Sequence, residues 1–305
     1  NDGSELKDAQ LIIHKNPTSF RYPTCLHLLD APLLIGPIGG GLQVPKQLKK
    51  YFKKEPWINK LRIFDQYLLK LPAIRKAYDK ANLLLITLDY LKDILPVKYE
   101  NKIRVFFDTG INVVDENTHD YKAGAIVRIL FVGKLIRFKG AEMAIRAILK
   151  CKSSVQFDIV GDGIERELLE SIVREQDNGT NINFHGNVPY QDVENYYANA
   201  DIFLYPSLTE ASGNVLLEAM KNGLPIITVN NGGPRYMCSE NGAIKVEISK
   251  PNDMIVQLAD AIDQLAASPE RRKQMGNINH SHCQQNYSWE VLEEKIISLV
   301  EEQAI

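Results

Sequence analysis

Short apolar runs and amphipathic stretches alternate regularly through the second part of the chain. The apolar runs have the length of buried strands, and apolar residues recur at helical spacing in the stretches between them. This alternation predicts an α/β domain with a doubly wound parallel sheet. The predicted strands are Ile126–Val132, Val155–Val160, Ile182–His185, Ile202–Tyr205, Leu224–Val229 and Ala243–Val246, and the predicted helices include Ala141–Leu149, Ile164–Arg174, Asp192–Ala198 and Asp253–Ala267.

Weaker strand signals occupy the first part of the chain. Apolar runs at Ala9–Ile13, Pro32–Ile35, Ala81–Thr87 and Ile103–Phe107 predict about four βα-type units. A complete Rossmann-like domain has more, so we expect a partial first domain. The polar stretch at 108–124 lacks periodicity and indicates a linker. The predicted divisions are a partial domain at 1–112, a linker at 113–125, a second domain at 126–286 and a final helix at 287–305.

Composition and charge narrow the classes of function. With 305 residues, 45% of them hydrophobic, the chain can form about two packed domains. A net charge of −2 predicts no general affinity for nucleic acid. The four cysteines form no C-x-x-C pair, which indicates reduced thiols in a cytoplasmic setting rather than disulfides or a zinc site. The sequence shows neither a membrane-spanning apolar run nor a signal peptide at residue 1.

A basic segment lies at residues 42–80, with eleven Lys or Arg residues against three acids and a net charge of +8. Leu48, Tyr51, Phe52 and Trp57 are spaced as on a helix beside its lysines. An amphipathic basic helix of this kind fits an anionic membrane surface, as a peripheral protein on the inner face of a membrane. Core-packed helices with solvated lysines are the alternative, and both interpretations stay open.

The chain is organised around Ala200–Arg235, which reads as strand, loop, helix, strand and glycine loop. Ligands bind at the carboxyl ends of parallel strands, where loops and helix N-termini meet. The helix, predicted to begin at Ser212 or Gly213, would direct free N–H groups there and form a seat for phosphate. Glu210 lies in the preceding loop and Glu218 in about the second turn of the helix.

Several residues of this stretch stand at a distinctive spacing: Glu210, seven intervening residues, Glu218, Ala219-Met220, Gly223, Pro225 and Gly232-Gly233. The pattern resembles the signature of retaining GT-B glycosyltransferases of family GT4. An ordinary Rossmann unit with two solvated glutamates is the alternative. The resemblance implies an α/β fold of two Rossmann-like domains, each a doubly wound parallel sheet, with the N-terminal one incomplete.

Further motifs of this family are matched by upstream loops. Residues 133–140 resemble G-R/K-L-x-x-x-K-G, whose two cations meet the diphosphate of the donor and stabilise its departure. Lys134 stands where the family more often has arginine. Lysine keeps the positive charge but lacks the guanidinium group that donates two parallel hydrogen bonds to a phosphate. Residues 160–166 resemble V-G-D-G-P-E-R, and residues 184–188 resemble F-x-G-x-V. In the latter, Val188 is a candidate for the base pocket, with simple packing as the alternative.

The resemblance implies transfer of a sugar from a UDP- or GDP-sugar to an acceptor hydroxyl, with retention at the anomeric carbon. Glu210 is then the catalytic residue and Glu218 binds the ribose. Lysines and the helix dipole supply the positive charge, so we expect no metal and no cofactor. The implied donor-binding residues are Gly133, Lys134, Lys139, Val188, Ser212, Gly213, Asn214, Val215 and Glu218.

On the acceptor side the resemblance is thinner. The GPIGGG stretch at 36–41 is similar to that of GT4 enzymes that build exopolysaccharide on lipid-linked acceptors. Gly39 and Gly40 are acceptor-side candidates, and so is His14, for which a structural role is the alternative. Tyr236 departs from the family pattern, which usually has glutamate there. An abrupt N-terminus leads to a second hypothesis, a catalytically incomplete nucleotide-sugar-binding subunit whose companion subunit supplies the missing segment.

Overall fold

The structure, a computed structural model, describes residues 9–15, 24–42, 44–49, 51–52, 67, 71–107, 109–117, 119–121, 126–176 and 179–302. The chain divides into two compact units. The first comprises Asn1–Gln43, Lys54–Gly110 and Leu292–Ile305, and the second comprises Val44–Lys53 and Ile111–Val291. Each unit contains one sheet with parallel strand pairs, so the predicted α/β class with parallel sheets is confirmed.

In the first unit the described strands form a sheet in the order β1-β2-β3-β4. They are β1 at Ile12–His14, β2 at Leu33–Ile38, β3 at Leu83–Ile86 and β4 at Ile103–Val105, and helix α1 at Pro72–Lys80 precedes β3. Strand β2 runs beyond its predicted end at Ile35, through Gly36. A Cβ on Gly36 would collide with the backbone of Leu85 on β3, so glycine allows the two strands to approach closely here.

The first sheet is packed on both faces. Leu33, Ile35 and Leu84 lie in one core cluster with Ile74 and Tyr78 of α1. The alternate residues point to the opposite face, because successive side chains of a strand alternate. There Leu34, Leu83 and Leu85 pack with Leu299 and, less buried, Ile296 and Val300 of the C-terminal helix α9 at Trp289–Glu301. The apolar face of α9 is therefore part of the first unit's core.

The second unit contains a six-stranded parallel sheet in the order β10-β9-β8-β5-β6-β7. Its strands are β5 at Val127–Val132, β6 at Val155–Val160, β7 at Asn181–Gly186, β8 at Ile202–Tyr205, β9 at Ile226–Val229 and β10 at Ala243–Val246. Its helices are α2 at Ala141–Lys150, α3 at Arg166–Glu175, α4 at Tyr190–Asn199, α5 at Asn214–Lys221, α6 at Gly232–Met237, α7 at Pro251–Ala266 and α8 at Pro269–Tyr287.

Two local predictions need correction. Helix α5 begins at Asn214, not at Ser212 or Gly213, because Gly213 has the extended backbone of an N-cap residue. The glycine loop predicted at 230–233 is shorter, since Gly232 already opens helix α6. Pro234 lies in the first turn of that helix, where its missing N–H costs no intrahelical bond.

The described part of the predicted linker packs against the second unit. The N–H of Ile111 donates to the carbonyl of Tyr287 at 2.9 Å, and the amide of Asn117 donates to Asn277 at 2.8 Å. The hydroxyl of Tyr121 donates to the carbonyl of Gly223. These contacts fix the segment along α8 and the end of α5.

About half of the basic segment at 42–80, including 53–66 and 68–70, lies outside the described residues. Over the helices that the structure does describe, none is long and apolar enough to cross a membrane.

The docking of α9 can be tested with Leu299→Ala. Leu299 is 7% exposed and packs against three buried leucines of the sheet, so its truncation should destabilise the first unit by about 2 to 4 kcal/mol. Ile297 on the same helix is 49% exposed, and Ile297→Ala should change stability by less than about 0.5 kcal/mol. Urea unfolding of both variants provides the measurement. Equal effects of the two substitutions would contradict this packing of α9.

Candidate active site

The loops that follow five neighbouring strands meet at one edge of the second sheet, because all strands of the sheet are parallel. Residues 133–140 follow β5, 161–165 follow β6 and 187–189 follow β7. Residues 206–213 follow β8, and 230–231 follow β9. We call this edge the donor edge. It collects most of the predicted site residues, although they are far apart in sequence.

Glu210 is the centre of a polar cluster at the donor edge. Lys139 forms an ion pair with its carboxylate, and the Tyr205 hydroxyl donates to the same oxygen at 2.6 Å. The Glu210 side chain is only 12% exposed and that of Lys139 is 26% exposed. Two of the predicted residues, 71 positions apart, are thus brought into direct contact. Partial burial makes their mutual attraction stronger than that of a surface pair.

Tyr205 was not predicted as a site residue. It is the last residue of β8, is 1% exposed and has its pKa raised, first by burial and then by the charge of Glu210. It therefore remains a hydrogen-bond donor to the carboxylate at any ordinary pH. A tyrosine at the carboxyl end of a buried strand, five residues before the acid, is the signal that could have identified it.

Backbone hydrogen bonds hold the Glu210 loop on both sides. The N–H of Leu208 donates to the carbonyl of Phe138 at 2.8 Å, next to Lys139. The N–H of Gly233 donates to the carbonyl of Glu210 at 2.6 Å. Gly140 has φ +78°, and a Cβ there would collide with the carbonyl of Pro206. The loops after β5, β8 and β9 are therefore fixed to one another through the main chain.

Arg137, which lies between the two motif lysines, has a structural role. It contacts Glu165 at 2.6 Å and Glu142 at 2.9 Å, and its guanidinium lies 4.8 Å from the ring centroid of Tyr51. The ring of Phe52 stacks on Phe138 at 4.9 Å. We call residues 44–49 and 51–52 the strap. Tyr51 and Phe52 of the strap pack on Arg137 and Phe138, and so they support the turn at 137–139 that carries Lys139.

Lys134, by contrast, is exposed and has no side-chain partner among the described residues. Gly133 lies directly after β5, where an added Cβ would contact the ring of Tyr205 at 3.6 Å. The structure thus places Gly133 beside the Glu210 cluster and leaves the Lys134 ammonium in solvent, where an anion can approach it.

The first turn of α5 carries the predicted phosphate seat. Gly213 caps this helix without a side chain, so the N–H groups of Asn214 and Val215 are not satisfied by a cap or by intrahelical bonds. A Cβ on Gly213 would lie 3.3 Å from Cγ of Glu210, which places the cap directly against the catalytic candidate. Ser212 is partly exposed in the same loop. This arrangement favours binding of an anion close to Glu210.

Glu218 lies in the second turn of α5, as expected, and accepts a hydrogen bond from the Tyr197 hydroxyl at 2.8 Å. Burial raises the pKa of Glu218, and the nearby charge of Glu194 adds to this, while Tyr197 and Lys221 oppose it. Described contacts do not link Glu218 to Glu210. The two glutamates therefore occupy separate environments, one ion-paired and one desolvated.

Val188 has different neighbours. It lines a cleft beside α4 together with His185, whose Nε2 lies 2.8 Å from Asp158. The structure gives Val188 no described contact with the Glu210 cluster.

The acceptor-side candidates lie in the first unit. His14 ends β1, and its Nδ1 is buried without a hydrogen-bond partner among the described residues. The carbonyl of Gly40 accepts a hydrogen bond from Tyr90 at 2.6 Å, and Gly39 follows the end of β2. These contacts explain how the glycine stretch is held, and an acceptor role for it stays a prediction.

Comparison with known families identifies the chain. The model of the family "Glycosyl transferases group 1" matches residues 126–282, about half of the sequence. The chain belongs to this family. The match covers the whole donor edge, including Lys139, Glu210 and Glu218, and it confirms the predicted membership of a GT4-type glycosyltransferase family.

Several curated relatives are similar over the same region. A GDP-mannose-dependent monoacylated alpha-(1-6)-phosphatidylinositol monomannoside mannosyltransferase of Corynebacterium glutamicum is 29% identical over 181 residues, 55% of this chain and 45% of that protein. The lipopolysaccharide core biosynthesis glycosyltransferase LpsE of Rhizobium meliloti is 27% identical over 208 residues, 66% of this chain and 58% of that protein. This group 1 chain spans about half the length of the curated relatives it matches.

Solved structures share the fold. The pneumococcal O-GlcNAc transferase GtfA, in complex with UDP and GlcNAc, matches with a TM-score of 0.67 and 16% identity over 95% of this chain and 56% of that chain. The lipopolysaccharide outer core galactosyltransferase WaaB matches with a TM-score of 0.64 and 14% identity over 96% and 99%. At these identities the likeness establishes the GT-B fold of two parallel-sheet α/β domains.

The environment of Glu218 predicts a pH-dependent effect of Glu218→Gln. A raised pKa in the folded state means that the wild type loses stability as pH rises through that pKa. Glutamine keeps an acceptor for Tyr197 and has no charge to desolvate. The variant should therefore melt about 2 °C higher than the wild type near pH 7, and the gain should vanish near pH 4.

Thermal melts at both pH values measure this difference. Glu167→Gln on α3, a solvent-exposed glutamate, serves as control and should show no such pH-dependent gain. The opposite result would be a variant that melts below the wild type near pH 7 but not near pH 4. It would show that the charge of Glu218 stabilises the fold.

Proposed function

We propose that this chain acts in a retaining glycosyltransferase, which moves a sugar from a UDP- or GDP-sugar to an acceptor hydroxyl in polysaccharide or lipid-linked glycan synthesis. The observation that carries the proposal is the cluster of Lys139, Glu210 and Tyr205 beside the open N-terminus of α5. It combines a cation, a fixed carboxylate and free N–H groups within one edge of a parallel sheet. A nucleotide diphosphate with an attached sugar requires these three kinds of partner.

The positive groups account for leaving-group stabilisation. As the bond to the anomeric carbon breaks, negative charge grows on the departing diphosphate, and Lys139, Lys134 and the α5 N-terminus lower the energy of that state. Donor binding gives Lys139 a second anionic partner besides Glu210. In this proposal the cations replace a metal ion, and the reaction needs no cofactor.

Glu210 has the positioning role. Its carboxylate is held by Tyr205 as well as by Lys139, so it keeps its place when the lysine turns to the diphosphate. A carboxylate fixed beside the anomeric carbon can accept hydrogen bonds from sugar hydroxyls and favour positive charge on the ring carbon in the transition state. Glu218 is proposed to accept hydrogen bonds from the ribose.

Names of the relatives guide the choice of donor and acceptor. The Corynebacterium protein is named for GDP-mannose and a phosphatidylinositol mannoside, and GtfA was solved with UDP and GlcNAc. A lipid-linked or glycan acceptor, handled at an anionic membrane surface through residues 42–80, is consistent with the first of these names.

A second candidate function is a nucleotide-sugar-binding subunit that needs a companion. The chain resembles the GPI3 subunit of the phosphatidylinositol N-acetylglucosaminyltransferase of Saccharomyces cerevisiae, at 29% identity over 138 residues, 44% of this chain and 30% of that protein. Because that relative is named as one subunit of an enzyme, its similarity supports the hypothesis of a subunit that needs a companion.

Titration calorimetry with UDP and with GDP tests the donor site, with hydrolysis of UDP-glucose and GDP-mannose assayed on the same samples. One nucleotide should bind, and Lys139→Ala should weaken binding at least about tenfold, because a charge-assisted contact is lost and the negative charge of Glu210 is no longer balanced by the lysine. Lys150→Ala, at an exposed site at the end of α2, is the matched control and should bind normally.

The outcomes separate the two candidates. Nucleotide binding with turnover that Glu210→Gln abolishes supports the transferase, and binding without turnover supports the subunit. Full turnover by Glu210→Gln would refute the catalytic role of this residue, and no binding of either nucleotide would refute the donor site.

Tyr205→Phe should separate positioning from binding. It removes the 2.6 Å hydrogen bond to Glu210 and leaves the ring in place. Loss of one hydrogen bond to a charged group predicts a fall in kcat of about tenfold, with nucleotide affinity within about twofold of the wild type. Tyr190→Phe, at an 81% exposed position, should leave both unchanged. A tenfold loss of affinity with normal kcat would argue against the positioning role.

A further inference from the structure

One face of the second sheet is polar where its strands β5, β6 and β7 pair. Arg128 stands opposite Gln156, and Gln156 opposite Asn181. In the next row of the same face, Asp158 stands between Leu130 and Asn183. The other face of these strands is fully apolar, with Ile129, Phe131, Phe157 and Ile159 all at 0% exposure. Parallel sheets of α/β proteins are normally apolar on both faces, so this polar face needs an explanation.

Helix α4 supplies a second polar wall. Asp192, Asn195, Tyr196 and Asn199 follow one another at helical spacing and therefore share one side of the helix. These four residues and the polar sheet face line a cavity of about 600 Å³. A neighbouring cavity of about 370 Å³ shares Arg128, Gln156, Asn199 and Ala200 with it. We call the two together the α4 cleft.

Hydrogen bonds hold the floor of the α4 cleft in a fixed arrangement. The Asp158 carboxylate accepts from Gln156 at 2.9 Å and from Asn183 at 3.2 Å, and it contacts Nε2 of His185 at 2.8 Å. Nδ1 of His185 lies 3.2 Å from the hydroxyl of Tyr196. The chain of contacts connects the sheet to the helix, so both walls of the cleft are preorganised.

We infer that the α4 cleft binds an uncharged oligosaccharide. The polar groups of the larger cavity include the amides of Gln156, Asn195 and Asn199, the hydroxyl of Tyr196 and two aspartate carboxylates, which offer donors and acceptors together, as a polyhydroxylated ligand requires. One arginine stands against two aspartates in the larger cavity, so the lining lacks the positive charge that a phosphate would need. Its Tyr196 ring, with Leu130 and Val188, adds apolar surface for the C–H faces of sugar rings.

Size and location support this assignment. The larger cavity falls in the range of about 300 to 1,000 Å³ that small-molecule sites occupy. The cleft extends along α4 from Val188, in the loop after β7, to Asn199 and Arg128, near the amino ends of the strands. The part of the lining around Asn199 and Arg128 lies away from the donor edge, so the cleft is a carbohydrate site in addition to the donor site, and its binding does not depend on the proposed transfer reaction.

Affinity electrophoresis of the full chain tests the inference. Native gels contain glycogen, dextran, yeast mannan or a galactan as neutral probes, and polygalacturonate as an anionic probe. The wild type should be retarded by at least one neutral polymer and not by polygalacturonate. Asn195→Ala and Tyr196→Ala should each weaken the retarding interaction about fivefold, the equivalent of one lost hydrogen bond.

Tyr190→Ala is the matched control, since Tyr190 belongs to α4, is 81% exposed and does not line the cleft. It should be retarded like the wild type. Asn195 is itself exposed, so its truncation leaves folding intact, which a thermal melt checks. UDP and GDP affinities, measured on the same variants, should not change, so a failed donor site and a failed cleft are distinguishable.

Three results would overturn the inference: no retardation by any neutral polymer, retardation by polygalacturonate alone, or retardation that Asn195→Ala and Tyr196→Ala leave unchanged. The last would place carbohydrate binding elsewhere on the chain.

Discussion

The donor edge depends on main-chain hydrogen bonds that connect loops from different strands. Phe138 offers its carbonyl to Leu208, and Glu210 offers its own to Gly233. The side-chain amide of Asn231 donates to the carbonyl of Leu208 at 2.7 Å and adds a third connection. Because the first two bonds are made by the backbone alone, the place of Glu210 is largely independent of side-chain rotamers. Preorganisation of this kind is what stabilisation of a developing charge requires.

The two sites of the second unit use opposite chemistry. At the donor edge, positive groups surround one carboxylate, an arrangement suited to an anionic diphosphate. Along α4, amides are combined with more aspartates than arginines, which disfavours an anionic ligand and suits a neutral one that can donate hydrogen bonds. One parallel sheet carries both, because its carboxyl edge presents loops and helix N-termini while one of its faces presents alternate strand side chains.

Much of this architecture could be predicted from the sequence. The strands of the second unit are recognisable as apolar or alternating runs, parallel order places their following loops together, and the family motifs assigned both Lys139 and Glu210 to the donor. Arg137 and Tyr205 were not assigned roles, because the sequence does not show which polar side chains form ion pairs or hydrogen bonds with one another in the fold. The structure shows that Arg137 forms ion pairs with Glu142 and Glu165.

The α4 cleft was not predicted from the sequence either. A strand with alternating polar residues, such as Val155–Val160, predicts one solvated face, but not that a helix with its own polar side stands over that face. Val188, a candidate for the base pocket by its motif, also lines this cleft, and its role in donor binding stays a prediction.

The strap has a topological consequence. The second unit is discontinuous in sequence, since Val44–Lys53 belongs to it together with Ile111–Val291. The polypeptide therefore passes between the units four times, and a fragment cut at 111 and 291 would lack Tyr51 and Phe52. Arg137 and Phe138, which share a turn with Lys139, would then lose their contacts with these two aromatic rings. Folding of the two units is thus coupled through the chain itself, and neither can be excised as one uninterrupted piece.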